Sequence, residues 1–174
     1  KGLRFAKQYS IPYKFFPSNN KERFERNSLF EIKKKKIKFL CLAGFMKILS
    51  NNFIRNFGYK IINIHPSLLP RYRGLDTHRR VLEAGEEKHG ATVHFVTEEL
   101  DGGPRIIQYC IPIKVKESEA ELAQRVHEGE YIILPQAVAW LASQRLTLEG
   151  SNVILDDQKL EGPILIEDKH ERSP

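Results

Sequence analysis

The stretch that decides the fold is KFLCLAGFMKILSNNFIRNFGYKIINIHPSLLP, residues 38–70. Two short apolar segments, 38–43 and 59–64, flank a helical pattern that Ser50 can cap and that Gly58 stops. A strand, a helix and a second strand in this order form a βαβ unit, in which the strands lie parallel and the crossover is right-handed. The stretch therefore predicts an α/β fold with a mostly parallel twisted sheet and flanking helices, similar in layout to a Rossmann fold.

The segments on either side fit the same layout. Ser118 and Glu121 have the spacing of a capping box, which predicts the start of a long helix. The other predicted elements are a helix over 3–9, a helix that follows the N-cap candidates 18–20 and runs into the lysines at 33–36, buried strands over 38–43 and 59–64, strands over 90–96 and 105–115, and short strands in a C-terminal tail over about 150–174.

The composition is typical of a globular protein that works in a reducing compartment. With 174 residues, 41% hydrophobic and 29% charged, the chain is predicted to form one domain over 1–174. Cys41 and Cys110 both lie in apolar runs, so we expect two reduced core residues rather than a disulfide. No apolar stretch approaches the ~20 residues of a membrane helix. We therefore expect a cytoplasmic protein that does not bind membranes.

The net charge of +6 does not by itself choose a partner. The densest cationic run, 33–36, contains no aromatic residues and directly precedes an apolar segment. Lysines in that position are typical of a solvated helix end, where they complement the helix dipole. We therefore expect no nucleic-acid partner.

Polar side chains capable of chemistry lie at the end of the second predicted strand. Asn63 and His65 are two residues apart on an extended chain, so both leave the same face while Ile64 points into the core. Ligands of open parallel sheets bind near such strand ends. Alternatively, an isolated Asn-x-His is a strand cap beside a satisfied histidine, and three other features argue against that reading. These features are Asp101 in a glycine-rich loop, His94 on the strand before that loop, and residues 46–49 after the first strand.

Two motifs, NIHPSLLP at 63–70 and HGATVHFVTEELDGGP at 89–104, resemble the phosphoribosylglycinamide formyltransferases, the folate-dependent formyltransferase family of purine biosynthesis. The similarity runs in register from CLAGFM at 41–46 through 71–74 to Trp140. The resemblance implies transfer of a formyl group from 10-formyltetrahydrofolate to the amine of phosphoribosylglycinamide, in the pathway to IMP. It also implies small-molecule substrates only, no metal, and a monomer or homodimer.

The resemblance assigns functional positions in four groups. The matching residues are Asn63, His65 and Asp101 as the catalytic trio; Lys21, Met46, Lys47, Ile48, Leu49, Asn63, Thr97, Glu98, Glu99, Leu100 and Asp101 as folate-binding; His127, Glu128, Gly129 and Glu130 as ribonucleotide-binding; and His94, Gly102 and Gly103 as supporting residues.

The chemistry of formyl transfer suits the trio. An amine that attacks a formyl group produces a tetrahedral intermediate with a negative oxygen, which requires hydrogen-bond donors where the charge develops. Asn63 can donate from its amide and His65 from a protonated ring. A carboxylate at Asp101 favours the charged ring and can hold a water that relays a proton.

Other functions fit these residues less well. A zinc site is disfavoured because the sequence contains no H-E-x-x-H and no paired-cysteine spacing. A serine hydrolase using Ser67 lacks the G-x-S-x-G elbow. Formyltetrahydrofolate hydrolase and methionyl-tRNA formyltransferase share a similar trio, and the second would be expected to carry a further C-terminal domain.

A non-catalytic folate-binding protein is the remaining alternative. Family members open with a strand and a glycine-rich loop that holds the substrate phosphate at a helix N-terminus. The chain begins at Lys1 without this segment, so the domain is expected to be incomplete at its N-terminus. A protein that lacked the segment would be expected to retain folate binding better than ribonucleotide binding.

Overall fold

A computed structural model describes residues 2–58 and 60–168. The described residues form two compact units, which divide after Ile37. In chain order the helices are α1 (Gly2–Gln8), α2 (Lys21–Lys34), α3 (Asn51–Phe57), α4 (Thr77–Glu83) and α5 (Glu119–Ala142). The strands are β1 (Leu40–Leu42), β2 (Ile61–His65), β3 (Lys88–Phe95), β4 (Arg105–Pro112), β5 (Leu146–Glu149), β6 (Asn152–Leu155), β7 (Gln158–Lys159) and β8 (Ile164–Glu167). None of these helices combines the length and the apolar character needed to cross a bilayer.

The first unit contains the two predicted N-terminal helices, α1 and α2. The side chain of Asn20 accepts a hydrogen bond from the Arg23 N–H at 2.8 Å and caps α2. Lys33 and Lys34 lie in the last turn, and Lys35 is the C-cap. The lysine run is therefore an exposed helix end, as predicted.

The second unit is built on a five-stranded sheet in the order β1-β2-β3-β4-β8. β1 pairs with β2 in parallel, β3 is antiparallel to both β2 and β4, and β8 is parallel to β4. Four of the five strands therefore run in one direction, and the prediction of a mostly parallel sheet with flanking helices is confirmed. The βαβ unit is also confirmed, with Ser50 as the N-cap of α3 and Gly58 as its left-handed C-cap.

Helix α5 covers one face of this sheet, where it packs on β3 and β4. Its predicted capping box is present, because Ser118 and Glu121 exchange hydrogen bonds. Pro135 lies inside the helix without ending it. The apolar face of α5 joins the strand residues in one core, which includes Ile62, Val93, Phe95, Ile107, Leu122, Val126 and Ile133.

The first predicted strand requires a correction. It spans only Leu40–Leu42 and is half-exposed rather than buried, and Cys41 is an exposed residue rather than a core residue. The reason is that β1 is the edge strand of the sheet in the described part of the chain, so it is covered along only one side. Cys110 is buried on β4, as predicted.

The C-terminal segment contributes to both sheets of the second unit. β5, β6 and β7 form a small antiparallel sheet, while β8 joins the central sheet beside β4. The sequence patterns did not indicate α4, β5 or β7.

Candidate active site

Strand β2 places Asn63 and His65 on one face, next to strand β3. The residue opposite Asn63 in the ladder is His94, and the residue opposite His65 is Thr92. The Asn63 amide nitrogen lies 3.3 Å from Nε2 of His94. Ile64, which lies between Asn63 and His65 in the sequence, is buried, as expected from the alternation of side chains along a strand.

The His94 ring orients the Asn63 amide. Its Nδ1 lies 2.9 Å from the Phe95 carbonyl oxygen, which can only accept, so Nδ1 carries the proton of the neutral ring. Burial lowers the pKa of His94, which keeps the ring neutral and leaves Nε2 as an acceptor. Nε2 therefore accepts one of the two N–H groups of Asn63 and holds the amide in a single orientation.

The two nitrogens of His65 face different oxygens. Nε2 lies 3.0 Å from the backbone carbonyl oxygen of Tyr72, so Nε2 carries a proton and donates it. Nδ1 lies 3.5 Å from Oδ2 of Asp101. That contact is attractive only when Nδ1 carries a proton, and at 3.5 Å it is too long for a strong hydrogen bond, so Nδ1–H can serve a nearer acceptor. Both side chains are about nine-tenths buried, with exposed fractions of 7% and 10%.

A left-handed backbone conformation directs Asp101 at the histidines. Its φ is 48°, a left-handed conformation that side chains other than glycine, asparagine and aspartate rarely adopt. Oδ2 accepts the backbone N–H of Gly74 at 2.9 Å, and Oδ1 lies 3.8 Å from Nε2 of His94. The trio named from the sequence, together with His94, therefore meets at one place.

Ion pairs and close backbone contacts anchor the loop that carries Asp101. Arg55 of α3 holds Glu98 with a two-pronged hydrogen bond at 2.5 and 2.8 Å, and Arg73 is paired with Glu99. A Cβ at Gly103 would lie 1.9 Å from the carbonyl oxygen of Phe95, so no larger residue fits there without movement. Gly102 packs against the Glu99 side chain instead, where a Cβ would approach to 2.3 Å.

A buried polar network ties the loop after β2 to the sheet. The Thr92 hydroxyl donates to the Ser67 carbonyl at 2.6 Å and accepts from the Leu69 N–H at 3.1 Å. Gln108 donates to both the Leu69 carbonyl and the Thr92 hydroxyl, at 2.8 and 2.9 Å. Ser67 is fully buried and donates to the Arg71 carbonyl, so its hydroxyl serves the loop conformation. This network fixes the path of the chain toward Tyr72.

The residues matched to folate binding lie in three places. Residues 46–49 follow β1, whose last residue, Leu42, is paired with Asn63. Met46 and Ile48 are 75% and 64% exposed, which leaves apolar surface beside the site, while Leu49 is buried. Lys47 is exposed, and residues 97–101 form the anchored loop described above, with Leu100 half-exposed at its tip. Lys21 is the first residue of α2 in the other unit, and its folate role stays a prediction.

The residues matched to ribonucleotide binding lie on α5. His127 is hydrogen-bonded through Nδ1 to Glu130 at 2.7 Å and through Nε2 to the Tyr131 hydroxyl at 2.8 Å. These two matched residues line a cavity of about 410 Å³, whose other walls are Pro66, His78, Ala120, Ala123, Gln124 and Val126. Glu128 is exposed, and Gly129 is buried, with space for a Cβ blocked by the Tyr109 ring at 1.9 Å. Packing against Tyr109 therefore explains the glycine at position 129 without any role in ribonucleotide binding.

Several groups of the site carried no sequence signal. The Tyr72 carbonyl and the Gly74 N–H are backbone groups, which any residue supplies. His78 lines the cavity and is hydrogen-bonded to the buried ring of His89, with Nδ1 and Nε2 3.0 Å apart. Burial lowers the pKa of His89 to about 4, so this ring is neutral. Among residues 2–58 and 60–168, no three histidine, cysteine or acidic side chains are grouped as metal ligands would be.

Comparison with known proteins defines the class. Residues 1–138 match the sequence profile described as formyl transferase, so the chain belongs to the formyl transferase family. Phosphoribosylglycinamide formyltransferase of Escherichia coli is 44% identical over 142 residues, which cover 82% of this chain and 67% of that protein.

Solved structures agree with the sequence relatives. The phosphoribosylglycinamide formyltransferase of Coxiella burnetii, in complex with CHES, matches with a TM-score of 0.86 at 39% identity, over 94% of this chain and 80% of that one. A formyltetrahydrofolate deformylase of Pseudomonas syringae matches with a TM-score of 0.82 at 25% identity, over 88% and 52%.

Proposed function

We propose that this chain transfers the formyl group of 10-formyltetrahydrofolate to the amine of phosphoribosylglycinamide, a step of purine biosynthesis in the cytoplasm. The observation that carries the proposal is the meeting of an oriented amide, a buried imidazole and a buried carboxylate at Asn63, His65 and Asp101. The similarity to phosphoribosylglycinamide formyltransferases at 39–44% identity supports the choice of substrates.

In the proposed mechanism, Asn63 and His65 stabilise the oxygen of the tetrahedral intermediate. The bond to His94 uses one N–H of Asn63, and the second N–H donates to the formyl oxygen. Because Nε2–H of His65 is bound to a carbonyl, Nδ1–H of the charged ring is the donor that remains for this oxygen, close to the Asp101 carboxylate. Donors fixed before the reaction need no reorganisation as charge develops, which lowers the barrier.

Asp101 holds the water that moves a proton during the transfer. The amine nitrogen forms a bond to the formyl carbon, and the bond from that carbon to N10 of the folate then breaks. The new ammonium must lose a proton and the departing N10 must gain one, so the step balances through a single relay. A water held by the Asp101 carboxylate carries this proton between the two nitrogens.

The same proposal assigns the binding surfaces. Residues 46–49 and 97–101 bind the reduced folate, and the exposed side chains of Met46 and Ile48 provide an apolar contact for its rings. Residues 127–130 bind the ribonucleotide at the cavity lined by His127 and Glu130. The active species is a monomer or a homodimer.

The test follows both possible fates of the formyl group. The full-length protein is incubated with 10-formyltetrahydrofolate, with and without phosphoribosylglycinamide, and both N-formyl product and free formate are quantified by mass spectrometry. We expect N-formyl product in a one-to-one ratio with deformylated folate, and activity that persists in a chelator. Formate release at the same rate without the amine would identify a hydrolase instead, and chelator-sensitive transfer would contradict the mechanism.

A further inference from the structure

The carbonyl that receives Nε2–H of His65 belongs to a residue in an unusual conformation. Tyr72 has a φ of 56°, which is in the left-handed region that aromatic residues seldom occupy. Such a backbone costs about 1–3 kcal/mol and persists only when surrounding contacts hold it. This conformation is the one in which the Tyr72 carbonyl lies 3.0 Å from Nε2.

The side chain of Tyr72 supplies those contacts. The guanidinium groups of Arg71 and Arg80 each lie 5.4 Å from the centre of its ring, within cation-π range. The phenol donates a hydrogen bond to Glu86 at 2.7 Å, and Glu86 is also paired with Arg71. The hydrogen bond from Tyr72, with help from Arg71, lowers the pKa of Glu86, so this carboxylate stays ionised.

Arg80 connects this arrangement to the following residues. Its Nη1 donates to the Arg73 carbonyl at 2.7 Å and to the Leu75 carbonyl at 3.2 Å. Gly74, which lies between these two residues, donates its backbone N–H to Asp101. One segment, 72–75, therefore supplies a partner to His65 and a partner to Asp101, and Arg80 holds both ends of it.

We infer that Tyr72 is a positioning residue, which with Arg80 holds the backbone carbonyl that accepts Nε2–H of His65 and so directs Nδ1 of the ring toward Asp101 and the formyl oxygen. The chemical role of Nδ1 rests on the proposed function, whereas the hydrogen bond from Nε2–H to the Tyr72 carbonyl does not. A backbone carbonyl that holds one imidazole nitrogen decides which nitrogen is left for chemistry. Tyr72 itself touches no reacting atom.

The test uses variants that loosen the segment in different ways. Tyr72→Gly keeps the left-handed backbone without strain but removes the ring. Arg80→Ala removes the contacts to the ring and to the two carbonyls. Tyr72→Phe keeps the aromatic ring between the two arginines and loses only the hydroxyl group that donates to Glu86. The matched control is Arg79→Ala, because Arg79 is the neighbouring arginine on α4 and is paired only with the exposed Asp76 and Glu83 among its described ion pairs.

The first readout is the ¹⁵N NMR spectrum of the His65 ring in the substrate-free protein, assigned by comparison with His65→Gln. We expect a protonated and hydrogen-bonded Nε2 in the wild type, Arg79→Ala and Tyr72→Phe. In Tyr72→Gly and Arg80→Ala we expect the ¹H and ¹⁵N resonances of Nε2–H to move toward those of a ring N–H without an acceptor. Circular dichroism identifies variants that fail to fold. An unchanged ring spectrum in folded Tyr72→Gly and Arg80→Ala overturns the inference, whatever happens to turnover.

The second readout is steady-state kinetics of formyl transfer. Loss of one orienting hydrogen bond should lower kcat about 3- to 10-fold in Tyr72→Gly and Arg80→Ala. KM should stay within about twofold, because neither side chain is placed on the substrates. A rise in KM without a fall in kcat counts against a positioning role for Tyr72. If the wild type transfers no formyl group, the proposed function fails, and the ring spectrum still decides the role of Tyr72.

Discussion

Replacing Asp101 with asparagine removes one charge from the site while keeping its shape. The amide oxygen can still accept the Gly74 N–H that Oδ2 accepts at 2.9 Å, and asparagine tolerates the left-handed φ of 48°. We therefore expect Asp101→Asn to fold normally, with a circular dichroism spectrum and a Tm close to those of the wild type.

The magnitude follows from the distance to His65. Two unit charges 3.5 Å apart attract by about 5 kcal/mol at an effective dielectric constant of 20, and desolvation of the buried pair offsets part of that energy. The loss of a charged donor from an oxyanion site costs about 10²- to 10³-fold in kcat. We expect a loss of that size in Asp101→Asn at neutral pH.

The assay is formyl transfer from 10-formyltetrahydrofolate, with kcat of the wild type and of Asp101→Asn measured at neutral pH.

Asp156→Asn is the control for this experiment. Asp156 has a similar φ, 52°, and its carboxylate is paired at 2.6 Å with Arg145, the residue before β5. Both side chains are half-exposed. Removal of the Asp156 charge should leave kcat within about twofold of the wild type. A kcat of Asp101→Asn equal to that of the wild type would refute the pairing with His65.

Three further predictions concern the supports of the site. Gly103→Ala, whose Cβ would lie 1.9 Å from a backbone oxygen of β3, should lower stability by about 1–3 kcal/mol and reduce kcat, whereas Gly162→Ala meets nothing within 4 Å and should be neutral in a denaturant titration. His94→Phe keeps a buried ring but removes the acceptor of the catalytic amide, so kcat should fall about tenfold while KM changes little. Ser118→Ala should cost about 1 kcal/mol of stability through loss of the helix cap, with unchanged kcat.

The elements that the sequence predicted correctly are those whose signals are local. Ser50, Gly58 and Ser118 cap helix ends through hydrogen bonds to residues only three or four positions away. Their effect can therefore be predicted from the local sequence. Burial of β1 is not local, because it depends on what lies beside the strand. For this reason the exposed position of Cys41 could not be inferred from its apolar neighbours.

The candidate site divides in the same way. The alternation of a strand places Asn63 and His65 together, and family resemblance named Asp101. The choice of ring nitrogen, in contrast, depends on the Tyr72 carbonyl and on a left-handed backbone held by Arg80. Those are consequences of tertiary packing around residues 71–86, and no residue type in the motif encodes them.

The most direct test of the central claim is a double-mutant cycle on His65 and Asp101, with kcat measured for His65→Gln, Asp101→Asn and the combined variant. When two residues act as one catalytic unit, the effects of replacing each of them on kcat are strongly non-additive. We predict that the combined variant is no slower than the slower single variant. Losses that simply multiply would contradict the account, since the two side chains would then be acting independently.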